Sequence, residues 1–345
     1  MRALVLEAFG RVAVRERDDP TPGPGELLVE VVATGICGSD IHGFTGENGR
    51  RQPGQVMGHE TVGRVRALGA GLSAPPVGLT VAVNPVVGCG ACPDCAVGRT
   101  QQCPDKTVLG VTPSLTSAFA ELLVIPAANA VPFEPAAPIE HGALVEPLAV
   151  GLHAAARGGV TSDDRVLVVG AGPIGQAALL AARRFGASRI AVSDPDPARR
   201  ARAVTLGGVG VDPTADRLGE QVRAALGGAA TVVLEAVGSE ASMSAAMACS
   251  QPGARIVLLG MAQPQLPVRA YEISTAERSI IGSFCYSPEE FADTAAWVGR
   301  HGSLVDGLID ERVGLDEAPD AFARLARGGS SCKVMVFPQS PPANR

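Results

Sequence analysis

A chain of 345 residues is too long for one ordinary globular core and points to two domains, and with 46% hydrophobic residues it can fill both. The net charge is −6 and no Lys/Arg cluster forms a stripe, which argues against nucleic acid as a partner. The first ten residues contain Glu7 and no apolar run fit for a signal peptide, so a cytoplasmic protein without a membrane segment is expected.

Residues 1–150 read as β-rich. Leu27 to Ala33 is a strand bounded by Pro24-Gly25, and Thr61 to Leu68 alternates apolar and polar positions as a half-buried strand does. Turn signals recur about every ten residues, which favours a barrel-like β domain. Near residue 160 the pattern changes. Arg165 to Val169 is a continuous aliphatic run, suited to a strand buried on both faces. A helix over Ile174 to Phe185 follows, then alternating strands and helices: Arg189 to Ser193, Pro197 to Leu206, Val209 to Val211, Arg217 to Leu226, Thr231 to Glu235, Ala241 to Cys249, Arg255 to Leu259 and a strand at Ile280-Ile281. This βαβ repetition predicts a doubly wound parallel sheet. The uncharged stretch Val166 to Ala182 is not a membrane span, because Gly170, Gly172, Pro173, Gly175 and Gln176 divide it into strand, turn and helix. After Pro288 come two helical stretches and a closing strand, Lys333 to Phe337; the tail after Pro338 looks disordered.

Four of the eight cysteines crowd into a Cys-x2-Cys-x2-Cys-x7-Cys spacing: Cys89, Cys92, Cys95 and Cys103. In a chain of this type they form a metal site rather than a disulfide frame. Zinc in a closed four-thiolate set is structural; an iron–sulfur cluster takes the same ligands, and unliganded buried cysteines are the plain alternative.

Val166 to Val169 runs into Gly170-Ala171-Gly172-Pro173-Ile174-Gly175. Following a buried strand and opening a helix, this turn reads as a dinucleotide site. Gly170 permits the turn, Gly172 lets backbone approach a pyrophosphate, and Gly175 lets helix pack on strand. Asp194, nineteen residues after Gly175, stands where an acid bonds the adenosine ribose, which favours NAD over NADP.

Cys37 in Gly35-Ile36-Cys37-Gly38-Ser39-Asp40, His59-Glu60 in a Gly-His-Glu segment, and Glu146 in Leu144-Val145-Glu146-Pro147-Leu148 are weak signals singly. With the cysteine lobe and the glycine turn, in this order, the chain resembles the sorbitol (L-iditol) and butanediol dehydrogenase group of the zinc-containing medium-chain dehydrogenases over nearly its whole length. The resemblance implies an α/β protein with a β-rich GroES-like catalytic domain at 1–150, a doubly wound Rossmann domain at 151–287 and a C-terminal return to the catalytic domain at 288–345. It implies a structural zinc in the cysteine lobe and a catalytic zinc on Cys37, His59 and Glu60, with Glu146 bound directly or through water. A catalytic zinc needs such mixed ligation with one position left open for the substrate oxygen. Ser39 and His42 match a proton relay. Arg199, Ile174, Leu259-Gly260-Met261 and Ser283-Phe284 match cofactor contacts. The family's dimers and tetramers imply a homo-oligomer.

The expected reaction is NAD-dependent oxidation of a small secondary alcohol or polyol to a ketone. Sorbitol is doubtful, because three family positions differ: Gly43 replaces an aromatic residue and leaves the pocket without a wall, His141 replaces a carboxylate, and Cys285 replaces an arginine beside Tyr286. Threonine 3-dehydrogenase-like chemistry is the nearest rival, although no basic residue stands out to hold its carboxylate. A zinc-free quinone-reductase-like protein and a non-catalytic zinc- and NAD-binding protein are the others, and the intact metal and cofactor motifs count against both.

Overall fold

The computed structural model describes residues 1–47, 49–113, 116–136, 138–267, 269–328 and 332–339. The tail expected to be disordered lies almost entirely outside them. The chain divides into two compact units, Met1–Glu146 with Ser287–Arg345, and Pro147–Tyr286.

The first unit is built on a seven-stranded sheet. Its path runs Ile309–Gly314, Lys333–Phe337, Glu26–Gly35, Glu60–Leu68, Thr80–Val83, Ala130–Pro132, and Leu122–Pro126 pairs with Glu26–Gly35 beside that path. Along Glu26–Gly35 the burial alternates, because Leu27, Val29 and Val31 point into a core with Val65, Val81, Val83 and Ile125. A second cluster gathers Leu4, Leu6, Phe44, Phe119 and Phe322, with Phe119 edge-on to Phe322 at 5.5 Å. The strand Ile309–Gly314 is not among the elements expected from the sequence. Asp310, Glu311 and Arg312 interrupt its apolar pattern, as suits a strand at the sheet's edge.

The second unit is a six-stranded parallel sheet in the order Val209–Val211, Arg189–Ser193, Arg165–Val169, Ala230–Glu235, Ser250–Leu258, Ser279–Gly282. In chain order this is 3-2-1-4-5-6, so the path reverses beside Arg165–Val169, where a doubly wound sheet binds its ligand. Val166 to Val169 are buried on both faces, which is why they read as one apolar run. Asp164 laces the strand starts together. Its carboxylate accepts from the Thr161 amide at 2.8 Å, Thr231 Oγ1 at 2.7 Å and Arg255 Nη2 at 2.6 Å. Several expected boundaries shift by a residue or more, and two of these shifts stand beside a left-handed residue. The helix Leu218–Leu226 starts one residue late because Arg217 is left-handed, with φ 64°. The strand expected from Arg255 begins at Ser250, ahead of Gly253 with φ 76°.

Candidate active site

The strand Glu26–Gly35 delivers Cys37 to the N-cap of the helix Gly38–Thr45. The neighbouring strand Glu60–Leu68 starts with His59 before it and Glu60 at its head, and Gly35 pairs with Glu60 across the ladder. Glycine at 35 makes room for the Glu60 carboxylate, since a Cβ there would stand 2.3 Å from Glu60 Oε2 and push it aside. One donor atom each from Cys37, His59 and Glu60 falls within 4.8 Å of the others. Glu60 Oε2 is buried with no hydrogen-bond partner, while His59 Nδ1 faces Asp40 Oδ1 at 3.5 Å. An orphaned buried acceptor asks for an explanation. A thiolate, an imidazole and a carboxylate converging on one point fit zinc.

Groups around this set fix it. Asp40 is wholly buried, accepts the Cys37 amide at 3.1 Å and places Oδ1 3.5 Å from His59 Nδ1. Burial alone would raise the Asp40 carboxyl, but His59, Arg51 and the Cys37 amide outweigh it and hold the group below the usual carboxylate range. Burial would lower His59, and the Asp40 and Cys37 partners reverse that, holding it well above the usual imidazole value. Lys333, on the last strand, donates to Glu60 Oε1 at 2.5 Å and to the Ile36 carbonyl at 3.3 Å. Burial pulls its ammonium down, and Glu60 and Cys37 more than reverse this.

Three residues here escape sequence reasoning. Asp40 sits inside the segment that names Cys37 and Ser39, yet nothing local marks it as a partner of His59. Lys333 reads only as the first residue of a strand. Arg51 gives no signal. The side chain missing at Gly43 does not leave an open wall: a Cβ there would meet Arg51 Cγ at 2.2 Å. A basic side chain does stand beside Ser39, with Arg51 Nη2 3.5 Å from Ser39 Oγ, but it is fully buried and so is not presented to a substrate carboxylate.

Other expected residues are placed as follows. Glu146 is 7% exposed and lies outside the donor set formed by Cys37, His59 and Glu60. His42 is half-exposed and pairs through Nδ1 with Glu47 at 2.9 Å. His141 is buried, with Nε2 3.1 Å from Asp306 Oδ1.

In the cysteine lobe all four thiols lie within 4.8 Å of one another. The amides of Cys89 and Cys95 point at Cys103 Sγ and Cys92 Sγ, each at 3.4 Å. A Cβ at Gly88 would stand 2.7 Å from Cys95 Sγ, so glycine lets the backbone close on the sulfurs. The amides of Ala91 and Cys92 bring the Cys89 thiol down to about 7. Cys95 is pushed up to about 12: the Gly90 amide lowers it, but desolvation and the neighbouring thiols prevail. Four thiols this close compete for their protons, and a metal that replaces those protons suits them.

In the second unit the strand Arg165–Val169 ends at Gly170, with φ 91°, and the helix Pro173–Arg184 opens on Gly172 with no side-chain cap. A Cβ at Gly172 would meet nothing within 4 Å, whereas one at Gly175 would lie 1.7 Å from the Gly170 carbonyl oxygen. Gly172 thus leaves a cradle at uncapped helical amides, and Gly175 closes helix on strand. Asp194 accepts the amides of Ala171 and Asp196, both at 2.8 Å, with Arg199 Nη1 4.0 Å away. The segment Leu259-Gly260-Met261 is held by Glu235, whose carbonyl accepts both the Leu259 and Gly260 amides at 2.9 Å. Met261 and Phe284 are exposed, Ser283 Oγ is buried without a partner, Cys285 has φ 50°, and Tyr286 is wholly buried.

Residues 23–135 match the alcohol dehydrogenase GroES-like domain, and residues 173–300 match the zinc-binding dehydrogenase domain. The chain is 32% identical to L-galactonate-5-dehydrogenase of Escherichia coli K12 over 94% of its length and 95% of that protein. It belongs to the zinc-containing medium-chain dehydrogenases. Sorbitol dehydrogenase of Bacillus subtilis 168 is 31% identical over 98% of the chain and 97% of that protein. A Sinorhizobium meliloti 1021 protein described as a zinc-binding dehydrogenase and solved with NADP superposes with a TM-score of 0.88 at 30% identity, covering 98% of this chain and 99% of that one. As a medium-chain dehydrogenase the chain is an oxidoreductase of the α/β class that uses zinc and a nicotinamide cofactor. Neither the threonine-type nor the non-catalytic alternative is favoured by these likenesses. Among the described residues no helix is long and apolar enough to cross a membrane.

Proposed function

We propose that this dehydrogenase oxidises a secondary hydroxyl of a small polyol or sugar derivative to a ketone, with NAD as the hydride acceptor. The observation that carries the reading is the donor set Cys37, His59 and Glu60, in which Glu60 Oε2 is buried without a hydrogen-bond partner and His59 is backed by the Asp40 carboxylate. Zinc held by these residues, with Glu146 reaching it directly or through water, would supply Lewis acidity to the substrate oxygen. Ser39 takes the hydroxyl proton and passes it toward His42, which the Glu47 carboxylate holds at the surface. Asp40 fixes the His59 ring, as a carboxylate behind a ligating imidazole does. Lys333 balances the Glu60 charge.

The turn Gly170 to Gly175, with Pro173 and Ile174, binds the diphosphate at the helix amides, and Asp194 binds the adenosine ribose beside Arg199. A carboxylate at that position repels a 2′-phosphate, which supports NAD, while the NADP in the Sinorhizobium relative's structure makes the preference worth measuring. Leu259, Gly260, Met261, Ser283 and Phe284 are assigned to the nicotinamide side, and Cys285 and Tyr286 to the substrate. A cytoplasmic homo-oligomer, dimer or tetramer, completes the reading on family resemblance.

The deciding experiment is an NAD-reduction screen over sorbitol, xylitol, 2,3-butanediol, inositols, aldonates such as L-galactonate, and threonine. A polyol or aldonate should lead. Threonine as the best substrate, or no alcohol-dependent NADH at all, overturns the reading; sorbitol leading by a wide margin overturns the weight given to Gly43, His141 and Cys285.

A further inference from the structure

Arg51 and Lys333 are the two cations among the largest fully buried side chains. Lys333 has a full counter-charge in Glu60. Arg51 is provided for less well. Its Nη2 reaches Asp40 Oδ1 at 3.3 Å and Ser39 Oγ at 3.5 Å, while its Nε and Nη1 are buried with no partner. Burying a guanidinium on these terms is costly, and an apolar side chain in the same space would avoid the cost. The space exists because residue 43 is glycine: a Cβ there would lie 2.2 Å from Arg51 Cγ and 3.2 Å from Arg51 Cβ. Stability alone therefore does not account for a charge at this place.

The polar groups that Arg51 touches supply the account. Ser39 and Asp40 are adjacent on the helix that starts after Cys37. The Asp40 oxygen that faces Arg51 is also the one 3.5 Å from His59 Nδ1, and the other Asp40 oxygen takes the Cys37 amide at 3.1 Å. One buried cation thus bears on the hydroxyl assigned to proton transfer and on the carboxylate that orients two donors of the metal set.

We propose that Arg51 is a positioning residue for alcohol oxidation: from the space left by Gly43 it holds the Ser39 hydroxyl and, through Asp40, the His59 ring in the arrangement that proton transfer requires. The proposal rests on the roles given above to Ser39 and His59. It makes Gly43 and Arg51 a matched pair in which the small residue exists to admit the large one. An aromatic residue at 43 and a buried guanidinium at 51 are then alternative ways to fill one volume, and this chain has taken the charged one.

The test compares Arg51→Met, Arg51→Lys, Gly43→Ala and the double variant Gly43→Ala/Arg51→Met with the parent. Each is assayed for kcat and KM on the best alcohol, for the solvent deuterium effect on kcat, for zinc content, and for the rate of zinc loss to a chelator. Arg51→Met should keep two zincs per chain and lower kcat by about tenfold or more, with KM changed far less, in line with loss of a proton-transfer contribution. The solvent deuterium effect should grow and the more labile zinc should leave faster. Arg51→Lys should recover part of kcat. Gly43→Ala, which pushes Arg51 aside without removing it, should lower kcat in the same direction, and the double variant should be no worse than Arg51→Met alone, the signature of two changes acting on one element. Parent-like kcat and chelator kinetics in Arg51→Met, or additive losses in the double variant, overturn the proposal. If Arg51→Met does not fold, Gly43→Ala and Arg51→Lys decide the matter, and a parent-like deuterium effect in both overturns it. A parent enzyme with no alcohol-dependent activity would instead overturn the functional reading, which the first measurement separates from failure of the Arg51 assignment.

Discussion

Lys333 Nζ stands 2.5 Å from Glu60 Oε1, and the two side chains are only 2% and 0% exposed. The pair joins the head of one strand to the last strand of the same sheet and leaves Glu60 Oε2 buried without a hydrogen-bond partner. Breaking such a pair from one side strands a charge in a dry interior.

Lys333→Met should therefore destabilise the protein by about 3–5 kcal/mol, the usual range for removing one partner of a buried pair. Adding Glu60→Gln to Lys333→Met should restore part of that stability while abolishing activity. Urea unfolding of parent, single and double variants measures the first, and an alcohol-oxidation assay the second; a single variant as stable as the parent would mean that Glu60 draws its compensation from elsewhere.

Cys92→Ser should reduce the zinc content from two ions per chain to one. Cys92 Sγ accepts the Cys95 amide and caps the short helix Pro93–Ala96, so the lobe loses a ligand and a local anchor together. Structural-zinc binding energy is folding energy, and the thermal midpoint should drop by roughly 5 °C or more. Because thiolates bind the metal, release to a chelator should accelerate as the pH falls and protons compete for the sulfurs. Elemental analysis showing two zincs retained in a stable variant would contradict the closed-site assignment.

Asp194→Ser should raise the ratio of NADP to NAD efficiency by about tenfold or more, since a like-charge contact is worth several kcal/mol. The same carboxylate holds the amides of Ala171 and Asp196, so NAD efficiency should also fall as the glycine turn loosens. Paired kcat/KM measurements with the two cofactors decide it. An unchanged ratio removes Asp194 from the cofactor assignment.

Asp164 gives a pH signature in the cofactor unit. Burial would raise its carboxyl, and the hydrogen bonds from Thr231 and Thr161 together with Arg255 lower it below the usual carboxylate range. A depressed folded value contributes stability above the unfolded value near 4 and loses it as the pH falls through the folded value. Asp164→Asn should cost about 1–3 kcal/mol at neutral pH, and the gap to the parent should narrow at pH below about 4. A gap that stays constant from about pH 7 to pH 3 would show that the lost interactions do not depend on the charge.

What the sequence discloses and what it withholds follow from the range of each interaction. The strand Arg165–Val169 and its glycine turn are legible because a strand buried on both faces must be apolar throughout, and because the turn chemistry is local. The cysteine lobe is legible for the same reason: its four ligands lie within fifteen consecutive residues. The strand Ile309–Gly314 is hidden by its charges, which belong to an edge. Lys333 and Glu60 meet across the sheet pairing of Lys333–Phe337 with Glu26–Gly35, and no local pattern announces a partner that far along the chain. Gly43 shows in the sequence that a side chain is missing, but only the fold shows that Arg51 takes up its volume.

The first unit closes on itself only after the chain has passed through the second, because the strand that carries Lys333 comes after Tyr286. During synthesis, Cys37, His59 and Glu60 leave the ribosome long before the ammonium that neutralises Glu60. A nascent chain must therefore keep that carboxylate wet, or its sheet open, until Lys333 has been made and has left the ribosome. The site is thus completed last, by a strand that the chain supplies only after the whole second unit.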